Sequence, residues 1–127
     1  MIQREAVIVL GHGSRSEEAT RQFHEIVDML RVQTDAPVLP AFMELAEPSF
    51  ADAVAEAVRL GVRHVLVLPL FLFVGMHMKH DIPEMIVEAG EANPQLSFEL
   101  RAPLGADPRI ADILLARLRA DVPPREA

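Results

Sequence analysis

The chain has 127 residues, one domain's worth, and half of them are apolar against 24 % charged, which excludes a disordered tail. It holds no cysteine, so disulfide scaffolds, thiolate metal sites, iron–sulfur clusters and cysteine nucleophiles are all excluded. The net charge of −7 (19 acidic against 12 basic residues) disfavours nucleic acid and anionic lipid as partners, and without tryptophan or tyrosine there is little to stack on bases.

Along the chain, strand and helix patterns alternate. Ala6 to Leu10 (AVIVL) is a continuous apolar run, the mark of a strand covered on both faces. It is too short for a signal-peptide core, and the longer apolar stretch Val65 to Met76 falls short of a membrane span, so a cytoplasmic location is expected. Gly11-His-Gly-Ser-Arg15 follows as a glycine turn. A helix then opens at Ser16, with Glu17 and Glu18 in its first turn and Phe23, Ile26, Val27 and Leu30 at helical spacing. Pro37 to Met43 reads as a second strand, and Pro40 inside it fits an edge position. Pro48 is expected to start a second helix with Phe50, Val54 and Val58 as its apolar stripe, closed by Gly61. A third strand is expected in VLVLPLFLF, Val65 to Phe73, followed by a loop from Val74 to His80. Asp81, Pro83 and Glu84 signal a third helix, ending near Gly90 or Asn93. Leu96 to Leu100 reads as a fourth strand. Asp107-Pro108 then caps a helix with Ile110, Ile113, Leu114 and Leu118 on one face. Residues 121–127 are expected to be a frayed tail after a single domain at 1–120. Four βα units without an internal repeat imply a three-layer αβα sandwich around a four-stranded parallel sheet, of flavodoxin-like type.

In such a sheet, ligands bind beyond the carboxyl ends of the strands. The first three strand ends offer His12, Glu44 and His77. Two imidazoles and a carboxylate can coordinate a divalent metal with positions left open, or move protons near neutral pH. Each also has a plainer reading: His12 as a cap of the glycine turn, Glu44 as a solvated carboxylate before a helix, His77 as a structural loop residue. His80 reads as a spare ligand or as a solvated loop residue, and His24 and His64 as structural. Phe71, Phe73, Met76 and Met78 read as lining an apolar pocket, with core packing the plainer reading for the two phenylalanines. The GHGSR turn offers backbone N–H groups, Ser14 and Arg15 to a carboxylate or phosphate, but it lacks the spacing of a dinucleotide fingerprint and the lysine of a P-loop.

The ordered set GHGSR at Gly11 to Arg15, F-x-E-x-x-x-P at Phe42 to Pro48 and G-x-H-x-x-x-D-I-P at Gly75 to Pro83 resembles the class II chelatases. It is most similar to the short form of the sirohydrochlorin chelatase family called CbiX, over nearly the whole chain. The resemblance implies a chelatase fold and insertion of a divalent metal into sirohydrochlorin, on the way to cobalamin or sirohaem. The family's two histidines fall on His12 and His77 and its glutamate on Glu44. The loop before His77 reads Val74-Gly75-Met76 here, where the family often has two glycines or an alanine–glycine pair. His80 stands where the family more often has a polar residue other than histidine, a departure that bears on metal preference.

Residues and resemblance agree on a mechanism. An open His12–Glu44–His77 site without thiolates would hold a metal loosely enough to hand it on. Two macrocycle protons must leave as the metal enters, and imidazole and carboxylate can accept them. Gly13, Ser14, Arg15, Gly75, Met76, Met78 and Lys79 are the expected substrate contacts, the methionines on the disc and the polar groups on its carboxylate rim. No permanent cofactor is expected; cobalt, or else iron or nickel, is the substrate ion. Rival readings are a non-catalytic metal or tetrapyrrole carrier and a phosphate-binding hydrolase built on GHGSR, which lacks an evident nucleophile–base pair. A homodimer is expected, because a large disc is gripped from two sides and Phe73, Val74, Met76 and Met78 would otherwise leave an apolar patch.

Overall fold

The computed structural model describes residues 4–120, so the expected tail at 121–127 lies outside the described residues. The chain runs β1 (Glu5–Gly11), α1 (Glu17–Arg31), β2 (Val38–Phe42), α2 (Phe50–Arg59), β3 (His64–Pro69), α3 (Met76–Ala92), β4 (Ser97–Leu100) and α4 (Pro108–Arg119). All strand pairs are parallel and the order is β2-β1-β3-β4. β1 and β3 are therefore central, as their unbroken apolar runs require, and Pro40 sits on the edge strand β2. Successive residues of β1 feed opposite faces. Ala6, Ile8 and Leu10 join Val65, Val67 and the inner side of α2, with Ile82 of α3. Val7 and Val9 meet Phe23 and Val27 of α1. Ile8, Leu10, Val27, Val65 and Val67 are fully buried, each contributing about 1.5–3 kcal/mol.

Three boundaries and the burial of two residues differ from the sequence reading. Pro48 does not start α2. Ser49 caps it, in a reciprocal box with Asp52, and the Glu47–Pro48 peptide before it is cis. The buried face of α2 is Phe50, Ala53, Val54 and Ala57, which leaves Val58 at the rim. β3 stops at Pro69, level with Leu10 of β1. The rest of the apolar run is held instead by the loop before α4, where the backbone N–H groups of Leu104 and Gly105 donate to the Phe71 and Leu72 carbonyls. Phe73 is on the surface, 77 % exposed, and not in the core.

The largest difference is at α3, which begins at Met76 with Gly75 as its N-cap and runs straight through Pro83. His77 and His80 are thus helical residues, not loop residues. A proline inside a helix costs about 3 kcal/mol. Here Met78, Ile82, Met85, Ile86 and Ala89 form one stripe packed on the core, and its burial offsets that cost.

Helix α4 forms as expected, with Asp107 as N-cap and Pro108 at its first position. Among the described residues, most of its apolar stripe finds no cover. No residue of α4 is buried, and Ile113, Leu114 and Leu118 all face solvent.

Candidate functional site

The strand order reverses between β1 and β3, the position where open parallel sheets bind ligands beyond their carboxyl ends. Two loops meet there. The β1–α1 turn carries His12, and the segment after β2 carries Glu44. Backbone bonds join them: Met43 N–H donates to the Gly11 carbonyl at 2.9 Å and Glu44 N–H to the His12 carbonyl at 3.2 Å. The two glycines of the turn make this approach feasible. Gly13 has φ +105°, and a Cβ there would land on the Glu44 carbonyl oxygen. A Cβ on Gly11 would come within 2.6 Å of the Phe23 ring. The result sets His12 Nε2 4.0 Å from Glu44 Oε2, with both side chains about half exposed. The edge of Phe71 stands against the His12 ring, centroids 6.3 Å apart.

His77 is built differently. It occupies the second position of α3 and is strongly exposed, and its Nε2 lies 2.8 Å from Asp81 Oδ2 one turn along. A carboxylate on one ring nitrogen fixes the ring and leaves the other nitrogen for a ligand. The structure thus brings His12 and Glu44 together and gives His77 its own partner. It does not gather the three: among the described residues, the one trio whose ligand atoms all lie within 4.8 Å of one another is His80, Asp81 and Glu84.

The expected substrate contacts divide in the same way. Met78 and Lys79 line a 670 Å³ groove beyond β3 and β4, together with Leu72, Phe73, Val74 and Arg101. The groove is mostly apolar, with Lys79 and Arg101 as its cations, and Arg101 is held 3.0 Å from Glu99. A flat apolar ligand with an anionic edge suits it. Ser14 and Arg15 do not line this groove. They border a separate, open depression beside α1 with Thr20, Arg21 and His24. The Ser14 hydroxyl accepts from the Ser16 N–H at 3.0 Å, so it serves the entry into α1. Met76 is 90 % exposed.

The remaining histidines have structural partners. His64 bonds Ser97 at 2.6 Å and Glu99 at 3.3 Å, fastening β3 to β4, and His24 lies edge-on to Phe23 and Phe42. Sequence reasoning missed Asp81 as the partner of His77 and Arg101 as a lining residue of the groove. Arg101 directly follows β4, so the strand-end rule reaches it once it is extended to the fourth strand. Asp81 sits at i+4 from His77, a signal visible once both are placed on one helix.

Fold and site together define a doubly wound parallel α/β protein whose strand-end edge offers imidazole and carboxylate ligands beside an apolar, cation-edged groove. The chain belongs to the CbiX family, whose model matches residues 6–121. It is 34 % identical over 131 residues to the sirohydrochlorin cobaltochelatase of Methanothermobacter thermautotrophicus, covering 91 % of this chain and 92 % of that protein. It is 37 % identical over 116 residues to the chloroplastic sirohydrochlorin ferrochelatase of Arabidopsis thaliana, covering 91 % of this chain but 52 % of that one. The crystal structure of the sirohydrochlorin chelatase SirB from Bacillus subtilis subspecies spizizenii in complex with cobalt matches with a TM-score of 0.86 at 30 % identity, over 92 % of this chain and 50 % of that one. The chain therefore spans about half the length of the plant and Bacillus proteins and nearly all of the Methanothermobacter one.

Proposed function

We propose that this chain is a chelatase that inserts a divalent metal into sirohydrochlorin. The observation that carries the reading is the pairing of His12 with Glu44 at the sheet's switch point, in a member of the CbiX family, with His77 opening the helix after the neighbouring strand. His12 and His77 are the metal ligands and proton acceptors, and Glu44 assists His12. Three N and O donors with open positions bind a first-row divalent ion without trapping it. As the ion passes to the macrocycle, two pyrrole nitrogens lose their protons. The imidazole nitrogens released by the metal are free to take them. The groove with Phe73, Met78, Lys79 and Arg101 receives the disc and its carboxylates, and Gly75 stands beside it as the N-cap of α3.

Cobalt is the favoured ion. Support comes from the Methanothermobacter relative, which matches this chain nearly end to end and is named a cobaltochelatase. Iron and nickel accept the same donors. We place the protein in the cytoplasm, in keeping with its cysteine-free composition; no helix among the described residues is long and apolar enough to cross a membrane. We also propose a homodimer. Support comes from Phe73 and Met76, both strongly exposed, and from Ile113, Leu114 and Leu118 of α4, which face solvent among the described residues.

The decisive experiment mixes the purified chain with sirohydrochlorin and Co²⁺ and follows the tetrapyrrole absorbance. Multiple turnovers support a chelatase, whereas tight binding without turnover makes the chain a carrier. Light scattering with and without sirohydrochlorin tests assembly. A strictly monomeric species that inserts metal at full rate overturns the dimer.

A further inference from the structure

The four polar residues His77, His80, Asp81 and Glu84 stand at positions 0, 3, 4 and 7 of one helix stretch, which places them on one face of α3. Two i,i+4 pairs interlock there: His77 Nε2 with Asp81 Oδ2 at 2.8 Å, and His80 Nε2 with Glu84 Oε2 at 3.0 Å. Asp81 belongs to both sets, since its oxygen also falls within 4.8 Å of the His80 and Glu84 ligand atoms. Metal-binding helices use the same geometry, because i and i+4 side chains project from one face.

We propose that His80, Asp81 and Glu84 form a second, external site for a first-row divalent cation, a docking point from which the ion moves one helical turn to His77. The donor chemistry favours it. One neutral imidazole and two carboxylates bring two negative charges to a dication, with no thiolate to hold it irreversibly. Three protein ligands leave positions for water, so the ion can be taken up hydrated and exchanged. His80 and Glu84 are open to solvent, at 77 % and 57 % side-chain exposure, whereas Asp81 is half-buried and turned toward His77. The docking role rests on the chelatase reading; the existence of the site does not.

The test counts ions and measures insertion separately. Titration calorimetry of the free protein with CoCl₂ should find two ions per chain. His80→Ala and Glu84→Gln should each abolish one of them, or weaken it by at least about tenfold, while His12→Ala removes only the other. Neither α3 variant threatens the fold, because alanine and glutamine are good helix formers at exposed positions. At limiting Co²⁺ the His80→Ala rate of insertion should fall about tenfold; at saturating Co²⁺ it should equal that of the unaltered protein. Asp81 is left intact because it serves both sites. Isotherms identical for the unaltered protein, His80→Ala and Glu84→Gln would overturn the site and leave the chelatase reading standing. An ion lost specifically in these variants, from a chain that inserts no metal into sirohydrochlorin, would support the site and overturn the chelatase reading instead.

Discussion

His12 and His77 follow the two central strands, yet they are held by opposite means. His12 sits in a packed junction. Its glycines are pressed against Glu44 and Phe23, its backbone is bonded to the next loop, and Phe71 stands against its ring. His77 stands in solvent on the first turn of a helix, with a single carboxylate to orient it. The difference separates two kinds of constraint. Around His12 the backbone itself is the device, and neighbouring residues cannot change without moving it. Around His77 the backbone is ordinary helix, and function resides in side chains alone.

The sharpest way to break this contrast is at the glycines. Gly13→Ala should abolish metal insertion and destabilise the fold. The φ of +105° alone costs a side chain on the order of 1–3 kcal/mol, and the new Cβ must displace the Glu44 carbonyl. Gly75→Ala, at the start of α3, meets no atom within 4 Å and has no positive φ, so stability should stay nearly level. Equal losses in thermal melts of the two variants would show that both histidines depend on their backbone alike.

Next come the side chains. His12→Ala and His77→Ala should each reduce insertion to background while far-ultraviolet circular dichroism stays unchanged. Both residues are exposed, and alanine favours the helix at position 77. Glu44→Ala should lose less, about 10- to 100-fold, as the assisting member of the site. Near-normal turnover in both histidine variants would remove histidine from the chemistry.

Much of this was legible from residue order. The buried runs of β1 and β3, the edge proline of β2, the Ser16 and Asp107 caps and the strand-end positions of His12 and Glu44 all follow from periodicity, proline chemistry and the parallel-sheet rule. The start of α3 was not legible locally. Asp81, Pro83 and Glu84 form a proper start signal, and only the long-range burial of Met78 and Ile82 carries the helix back to Met76. That one boundary decides the site. With His77 and His80 in a loop, Asp81 and Glu84 are bystanders; on a helix they become i+4 partners. The close approach of Gly13 to Glu44 was equally hidden, because it joins two loops about thirty residues apart.

A second contrast, between α2 and α4, yields the smallest expected effects. Each helix opens on a side-chain cap: Ser49 accepts from the Asp52 N–H at 3.1 Å, Asp107 from the Arg109 N–H at 2.9 Å. The Arg109 guanidinium and N–H beside Asp107 hold its carboxyl well below the usual aspartate range near 3.8. A lowered carboxyl contributes at neutral pH, and its contribution fades only as acid takes the pH below that usual value and on toward the lowered one. Both caps are therefore intact at pH 7, but they support different things. α2 buries Phe50, Ala53, Val54 and Ala57 in the core, so losing its cap is felt by the whole fold. Ser49→Ala should cost about 1 kcal/mol in a denaturant titration. No residue of α4 is buried among the described residues, so Asp107→Ala should fray its first turn without moving the main unfolding midpoint of the dilute, dissociated protein. Far-ultraviolet circular dichroism should show the lost helix, and acidifying the unaltered protein from about pH 4 toward the lowered value should bring on the same loss progressively. A midpoint shift in Asp107→Ala as large as that of Ser49→Ala would mean that α4 folds as one unit with the sheet. Its apolar stripe would then need no partner copy to account for it.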